Sequence, residues 1–297
     1  MTTAELAQFL ITGLTIGSIY ALVGLGFNLI FNSTDVINFA QGEFVMLGGV
    51  ATAIAAGHFG LPLWLAGPLT ILAVGLLGAA IDLTTISRVK RGNVMTLVMI
   101  TLGVSVIIKT ATLLVVGPNS VFFDPFTVGP PLRLFGAVIQ IQAIWVIGVA
   151  GAVMIALSVF YTRLPLGREM LACAIDREAS ALMGIDVKKM VRLSFFLSGS
   201  LGALAGFLIT PLSNATYDEG FALALKGFAA SALGGFGRSS SAILGGLTIG
   251  LLEAGSVAIM PSGWKDAVAL GVLILVLVIK PAGIFGGRAE RRHTQAM

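Results

Sequence analysis

The chain has 297 residues, of which 57% are hydrophobic and only 11% are charged. A mean hydropathy of +0.99 excludes a soluble globular domain, because a domain of this size would expose large apolar patches to water. The net charge of +4 is less informative than the placement of the basic residues. We therefore expect an integral membrane protein whose surroundings are a lipid bilayer, with no nucleic acid among its partners.

The apolar runs predict an all-α polytopic membrane protein of about eight to nine transmembrane helices in a single domain over residues 1–297. A helix needs about 20 apolar residues to cross a bilayer. By this measure the runs are 6–31, 44–57, 62–81, 94–116, 137–161, 193–212, 221–236, 242–259 and 267–279. The runs that start at Phe44 and Phe221 are short and rich in glycine, so eight full spans with a re-entrant element are an alternative.

Basic residues cluster in three gaps between these runs, and the positive-inside rule assigns all three to the cytoplasm. They are Arg88, Lys90 and Arg91; Arg163, Arg168, Arg177, Lys188, Lys189 and Arg192; and Lys280, Arg288, Arg291 and Arg292. The gap of residues 117–136 belongs to the opposite face. Nine spans place the basic tail of residues 280–297 in the cytoplasm and the short N-terminus outside.

The cytoplasmic loop of residues 162–192 is dense in charge in a chain that is otherwise almost uncharged. Within it we predict a short helix on the membrane surface. The helix has a solvent-exposed charged rim, a small apolar face and a terminating glycine. Such a helix can dock into a groove on a soluble partner. Its rim is Asp176, Arg177 and Glu178; its face is Ala174, Ala179, Ala181, Leu182 and Met183; Gly184 ends it and Ile185 follows.

Polar residues interrupt the hydrophobic pattern between the first two spans, namely Asn28, Asn38, Gln41 and Glu43. Broken backbone at membrane depth is tolerated only where it is buried in protein or lines a cavity. We therefore predict that residues 28–43 form part of the translocation path or its gate, the alternative being a structural turn. The glycine-rich residues 227–237, with Gly234 and Gly235, are the counterpart in the second half of the chain.

Three charged residues lie within apolar runs, where charge is costly and usually functional. For Lys109 and Lys226 we expect side chains that extend to the outer membrane interface. Glu253 has no basic neighbour in sequence. It should therefore face the bundle interior, a cavity or a subunit interface.

Glycines recur at spacings of four, as at Gly13 and Gly17, Gly202 and Gly206, and Gly246 and Gly250. This spacing is typical of closely packed membrane helices. The order of features in residues 17–49 also resembles that in residues 199–235. In the expected topology the two copies would be inverted repeats, which place a substrate path at their interface.

Several motifs together resemble one family. They are residues 17–22, 37–44, 172–179, 182–185, 232–237 and 280–286. The chain resembles the permease subunits of high-affinity branched-chain amino acid ABC importers, the LivH-like class, and the interval from Glu178 to Gly184 resembles their cytoplasmic docking loop. The resemblance implies a multi-pass protein of the bacterial inner membrane that moves leucine, isoleucine, valine or similar small polar solutes into the cytoplasm. Gln41 differs from the histidine that many relatives have.

The resemblance also implies partners: a second related permease in a heterodimer, two ATPase subunits and a periplasmic solute-binding protein. The sequence has no Gly-Lys dipeptide and therefore no Walker A phosphate cradle. ATP and Mg²⁺ would be bound by the partner ATPases, and we expect no catalytic residue, metal or cofactor here. Related importers of urea, amides, other amino acids or aromatic and carboxylic acids remain open, as does an ion-gradient-driven secondary transporter. A membrane enzyme would need a clustered site, and none is visible.

Overall fold

A computed structural model of the chain describes residues 3–89, 94–134, 136–258, 261–280 and 283–284. These residues form helices, apart from one short antiparallel hairpin of β1 (Leu132–Leu134) and β2 (Ala137–Ile139). The helices are α1 (Thr3–Thr34), α2 (Gln41–Gly57), α3 (Leu63–Thr84), α4 (Val94–Val116), α5 (Ile141–Arg163), α6 (Pro165–Ile175), α7 (Arg177–Leu182), α8 (Val187–Ser213), α9 (Glu219–Gly234), α10 (Ser239–Ser256) and α11 (Lys265–Ile279). Short 3₁₀ turns lie at Ile86–Arg88 and Ser262–Trp264.

The predicted all-α polytopic class is confirmed, but the predicted count of eight to nine spans is not. Within the described ranges, five helices are long and apolar enough to cross a bilayer, namely α1, α3, α4, α5 and α8. The pair α9 and α10, bent by 119°, makes a sixth candidate. Helices α2 and α11 have 17 and 15 residues, which is short for a complete crossing.

The hairpin replaces the start of one predicted span. Residues 137–161 were expected to be helical, whereas residues 137–139 form β2 and α5 begins at Ile141. Gly136 has a φ of +84°, a conformation that glycine adopts without steric cost. The chain therefore reverses direction before α5 begins.

Helices α1 and α8 form the centre of the bundle. The stretch of α1 from Ile19 to Ile30 is buried throughout. Helix α1 packs against α8, α9 and α10, while α8 packs against α1, α2 and α3. Exchanging the segment α1 to α3 with the segment α8 to α10 therefore reproduces these helix contacts.

Glycines allow these central helices to approach closely, as predicted. A Cβ on Gly17 would meet the backbone of Leu247, and one on Gly250 would meet the backbone of Gly17. In the second half, a Cβ on Gly206 would meet the carbonyl oxygen of Val45. The small-residue spacing therefore indicates real helix interfaces in both halves.

The two ends of the bundle carry different structures. At one end, Gln8 of α1 accepts a hydrogen bond from the backbone N–H of Val138 in the hairpin. At the other end, Asp35, just beyond α1, forms an ion pair with Arg177 of α7. The hairpin and the α6 to α7 segment thus lie at opposite ends of α1. Lys90, Arg91 and residues 285–297, which include most of the predicted basic tail, lie outside the described residues.

The close approach at Gly206 can be tested by adding one methyl group. We expect Gly206→Ala to lower the free energy of unfolding by roughly 1–3 kcal/mol, because the added carbon overpacks the contact between α8 and α2. Gly151→Ala is the matched control, since nothing lies within 4 Å of a Cβ at Gly151. Thermal unfolding of both variants in detergent measures the difference, and equal melting temperatures would contradict the interface.

Candidate functional site

The chain folds back into the helix bundle between α1 and α2. The Gln41 side chain donates a hydrogen bond to the backbone oxygen of Ser198 at 3.2 Å, and the Ser198 hydroxyl donates to the backbone oxygen of Gly26 at 2.8 Å. Gly26 lies about 12 Å of helix before the end of α1 at Thr34, at 1.5 Å of rise per residue. Helix α2 therefore starts inside the protein, at the level of Gly26 and not at the level of the end of α1.

Helix α9 begins at the same depth as α2. A Cβ on Gly42 would meet the backbone oxygen of Gly220, and one on Gly220 would meet that of Gly42. The adjacent Glu43 is 2% exposed and accepts a hydrogen bond from the Ser105 hydroxyl at 2.9 Å. The first residues of two broken segments thus face each other in the bundle.

The predicted glycine counterpart forms the turn of the bent pair α9 and α10. Gly234 ends α9, and Gly235 has a φ of +89°. Asn28 of α1 donates from its Nδ2 to the backbone oxygen of Arg238, in the same turn, at 3.1 Å. The structure therefore brings Asn28 to the turn that contains Gly234 and Gly235, while Asn38, Gln41 and Glu43 lie around the start of α2.

Three of these polar side chains keep an unpartnered buried atom. Among the described residues, buried side-chain atoms without a hydrogen-bond partner are Asn28 Oδ1, Asn38 Nδ2, Glu43 Oε2 and Arg192 Nε. Such atoms are rare, because each costs free energy unless it binds water, an ion or a ligand. Three of the four atoms belong to residues 28–43, the segment predicted as a path or gate.

The predicted docking helix is two helices and not one. The backbone of Asp176 is extended, with a φ of −155°, and its side chain accepts a hydrogen bond from Ala179 N–H at 2.9 Å. Asp176 thus caps the start of α7, and the same extended conformation ends α6. This corrects the prediction that Ala174 shares a continuous helical face with Ala179.

The end of α7 matches the prediction for Gly184. Gly184 has a φ of +88°. The N–H of Ile185 donates to the Ser180 oxygen and the N–H of Gly184 donates to the Ala181 oxygen, both at 3.1 Å. These two bonds define a Schellman motif, for which glycine is the favoured residue.

The apolar face of α7 points away from the bundle. Leu182 is 88% exposed and Met183 is 83% exposed, and Ala179 and Glu178 are also exposed. On the other side, Arg177 Nη2 lies 2.8 Å from Asp35 Oδ2. Helix α7 therefore offers its hydrophobic surface outward while its arginine holds the linker that leads to α2.

A cavity of about 620 Å³ opens at the hairpin end of the bundle, between α1, α8 and α9. Sequence reasoning did not predict it. Its apolar wall includes Ile11, Ile16, Ile19, Ile209, Leu212 and Leu223, and its polar wall includes Thr12, Thr15, Tyr20, Gln140, Ser213, Glu219, Lys226, Glu253 and Lys265.

An ion-pair cluster forms one side of this cavity. Lys226 Nζ lies 3.0 Å from Glu253 Oε1 and 2.7 Å from Asp266 Oδ1. The Tyr20 hydroxyl donates to Glu253 Oε2 at 2.7 Å, and the Lys226 ammonium lies 5.4 Å from the centre of the Tyr20 ring. Of the three positions expected for Glu253, namely the bundle interior, a cavity or a subunit interface, the structure shows it lining a cavity.

The Lys226 side chain is 12% exposed and is paired with two carboxylates, so it does not extend outward as expected. The Lys109 ammonium lies 5.7 Å from the centre of the Tyr217 ring, and its position at the outer membrane interface stays a prediction. The sequence held one indication of the first contact, since Lys226 and Glu253 are opposite charges in neighbouring apolar runs and buried charges are normally paired.

The Lys226 and Glu253 pair should show strong non-additivity. We expect Lys226→Met to lower the free energy of unfolding by roughly 3–5 kcal/mol, because it leaves the buried Glu253 carboxylate without a counter-charge. Adding Glu253→Gln should recover most of this loss, since a neutral amide can still accept the Tyr20 hydrogen bond. Unfolding of the single and double variants in detergent measures the coupling, and simple additivity would show that the charges are independent.

The geometry defines the class: a polytopic helical membrane protein with broken segments, buried polar residues and a short helix with an exposed apolar face. The profile of the family described as branched-chain amino acid transport system / permease component matches residues 9–277, and the chain belongs to this family. BraD of Pseudomonas aeruginosa, a high-affinity branched-chain amino acid transport system permease, is 31% identical, over 94% of this chain and 95% of that protein.

Two further relatives show the range of the similarity. LivH of Escherichia coli K12, another high-affinity branched-chain amino acid permease, is 30% identical over 94% of this chain and 95% of its own length. The ribose import permease RbsC of the same organism is 29% identical over 88% of this chain and 82% of its own length. The similarity thus extends to a permease whose name refers to a sugar.

Proposed function

We propose that this chain is a permease subunit of an ABC importer in the bacterial inner membrane, and that it moves leucine, isoleucine and valine, or similar small polar solutes, into the cytoplasm. The names of BraD and LivH support this substrate class. The observation that supports the coupled mechanism best is the position of α7. Its hydrophobic face is exposed, while Arg177 contacts the Asp35 linker before the broken segment.

The exposed face of α7 fits a groove on an ATPase subunit. Ala179, Leu182 and Met183 would enter the groove, and Glu178 would lie at its rim. Movement of the ATPase would shift α7, and the ion pair between Arg177 and Asp35 would pass that shift to Asn38, Gln41 and Glu43. These residues, with Asn28, Gly234 and Gly235, form the proposed path or gate.

The proposed assembly has a second, related permease, two ATPases that bind ATP and Mg²⁺, and a periplasmic solute-binding protein. This chain would hydrolyse no ATP itself. Helix α4 provides a surface for a subunit or for lipid, since Val106, Leu114 and Val115 are 64%, 80% and 83% exposed. Apolar side chains at this exposure need a hydrocarbon or protein neighbour.

The proposed topology has nine membrane segments, of which α2 and α9 begin inside the bilayer and complete only part of a crossing. Helices α6 and α7 and residues 280–297 are cytoplasmic, and the hairpin is periplasmic. The segments α1 to α3 and α8 to α10 are inverted repeats, which is supported by their reciprocal packing and by the meeting of Gly42 with Gly220.

The similarity to RbsC makes sugars a second candidate substrate class, because this relative is named for ribose import. Other amino acids, urea, amides and aromatic or carboxylic acids belong to the same test. A transporter driven by an ion gradient would need no ATPase and no docking helix. The exposed face of α7 favours the ATP-driven mechanism over that alternative.

The first test is uptake by the assembled importer in proteoliposomes. The chain, its partner permease, both ATPases and the binding protein are combined, and radiolabelled leucine is supplied outside with ATP inside. We expect uptake that requires ATP and the binding protein and that excess isoleucine or valine inhibits. Competition only by ribose or another solute would change the substrate, and uptake by the chain alone would contradict the importer.

The coupling role of α7 can be tested at its terminal glycine. We expect Gly184→Leu to leave ATP hydrolysis but to lower leucine uptake about ten-fold, because a side chain strains a positive-φ residue and displaces the end of α7. Gly117→Leu is the matched control. Gly117 has a φ of +89° against +88° at Gly184, and neither has an atom within 4 Å of a Cβ. Equal ratios of ATP hydrolysed to leucine imported in both variants would remove α7 from the coupling mechanism.

A further inference from the structure

We propose that the cavity between α1, α8 and α9 is a binding site for a zwitterionic solute with an aliphatic side chain. In this site Lys226 would hold the carboxylate of the solute, Glu253 would hold its ammonium group, and the isoleucines of α1 would contact its side chain. The inference rests on the proposed function and identifies where an amino acid would first be held on the periplasmic side of the permease.

The charged wall offers both signs within a short distance. Lys226 has a side chain that is 12% exposed, and that of Glu253 is 3% exposed, with 3.0 Å between Nζ and Oε1. The cavity lining contains Glu219, Lys226, Glu253 and Lys265, two acids and two bases. A balanced wall of this kind suits a ligand that carries one charge of each sign better than a simple anion or cation.

The existing contacts show how the cluster can exchange partners. Lys226 divides its ammonium between buried Glu253 and the 60% exposed Asp266. Glu253 is oriented by the Tyr20 hydroxyl at 2.7 Å. If a solute carboxylate takes the place of Glu253 at Lys226, the solute ammonium can pair with the freed carboxylate oxygen. Every charge then remains paired, which a low-dielectric site requires.

The apolar wall determines the type of side chain. Ile11, Ile16 and Ile19 lie along one face of α1, and Ile209 and Leu212 of α8 line the same cavity. A pocket with a large aliphatic surface and a few convergent polar groups is the usual form of a small-molecule site. The isoleucine and leucine surface gives an aliphatic side chain of the solute a hydrocarbon wall to pack against.

The site can be tested by ligand protection of a reporter cysteine. Ala222 lines the cavity and is exposed, so Ala222→Cys places a thiol there. Cys173 is the only native cysteine and is replaced by alanine. The assembled complex in lipid nanodiscs, without binding protein, is treated with a charged methanethiosulfonate reagent. We expect leucine to slow the modification.

Two truncated analogues separate a zwitterion site from simpler ones. The compound 4-methylpentanoate keeps only the carboxylate of leucine, and 3-methylbutylamine keeps only its ammonium group. We expect each to protect at least about ten-fold less well than leucine, because a site built to pair both groups rejects a ligand that lacks one. Equal protection by either analogue, or no protection by leucine, would overturn the site.

Variants separate recognition from a structural role of the ion pair. The double variant Lys226→Met/Glu253→Gln leaves no buried charge unpaired, since Asp266, which also loses Lys226, is 60% exposed. We expect this variant to be modified at the parent rate but without protection by leucine. Asp82→Asn is the control, because Asp82 is a fully buried carboxylate bonded to Ser87 and outside the cavity lining; it should keep the protection. Protection of the double variant by leucine would show that the pair is structural only.

The result of the cysteine-protection experiment is independent of the result of the uptake test. A complex that imports leucine while leucine leaves the reporter unprotected would overturn the cavity site and support the proposed function. A complex that imports no leucine but whose reporter is protected by leucine and by neither analogue would overturn the proposed substrate and support the site.

Discussion

The structure depends on close backbone contact between helices that lack side chains at the contact. In a bilayer no hydrophobic effect drives one apolar helix against another, so packing and hydrogen bonds must hold the bundle together. Gly17 and Gly250 let α1 and α10 touch, and Gly206 lets α8 meet α2. The same closeness positions the polar groups, since Gly26 leaves the space that the Gln41 side chain occupies.

Close packing also explains how α2 and α9 can begin inside the bundle. Their free backbone groups and polar side chains need partners that lipid cannot supply. Gln41 finds them in Ser198 and, through it, in Gly26. Asn28, Asn38 and Glu43 find only some of theirs. An unpartnered buried polar atom is rare and calls for an explanation such as a bound water, an ion or a functional role. The proposed translocation path supplies one for these three residues.

The helical class and the end of α7 could be predicted from the sequence, because membrane helices are recognised by the length and hydrophobicity of their apolar runs and by local motifs. The terminating role of Gly184 followed from the residues around it, and so did the exposed face of Leu182 and Met183. The break at Asp176 was missed because an aspartate can either continue a helix or cap the start of a new one. The sequence pattern alone does not decide between these two conformations. Lys226 lies on α9 and Glu253 on α10, and the 119° bend between these helices brings the two charges together. No local sequence pattern predicts the size of that bend. Cavities arise from such long-range packing and have no signature in the sequence.

The ion pair between Arg177 and Asp35 lies largely in water, with side chains that are 36% and 74% exposed. A pair of this kind contributes about 0–1 kcal/mol and weakens as salt screens it. The contact between α7 and the segment that leads to α2 is thus close to thermal energy. In the proposed coupling mechanism it would break and reform in each turnover without becoming a barrier, whereas a buried ion pair at the same place would hold the two parts together. The strength of the proposed coupling would then depend on the ionic strength around α7.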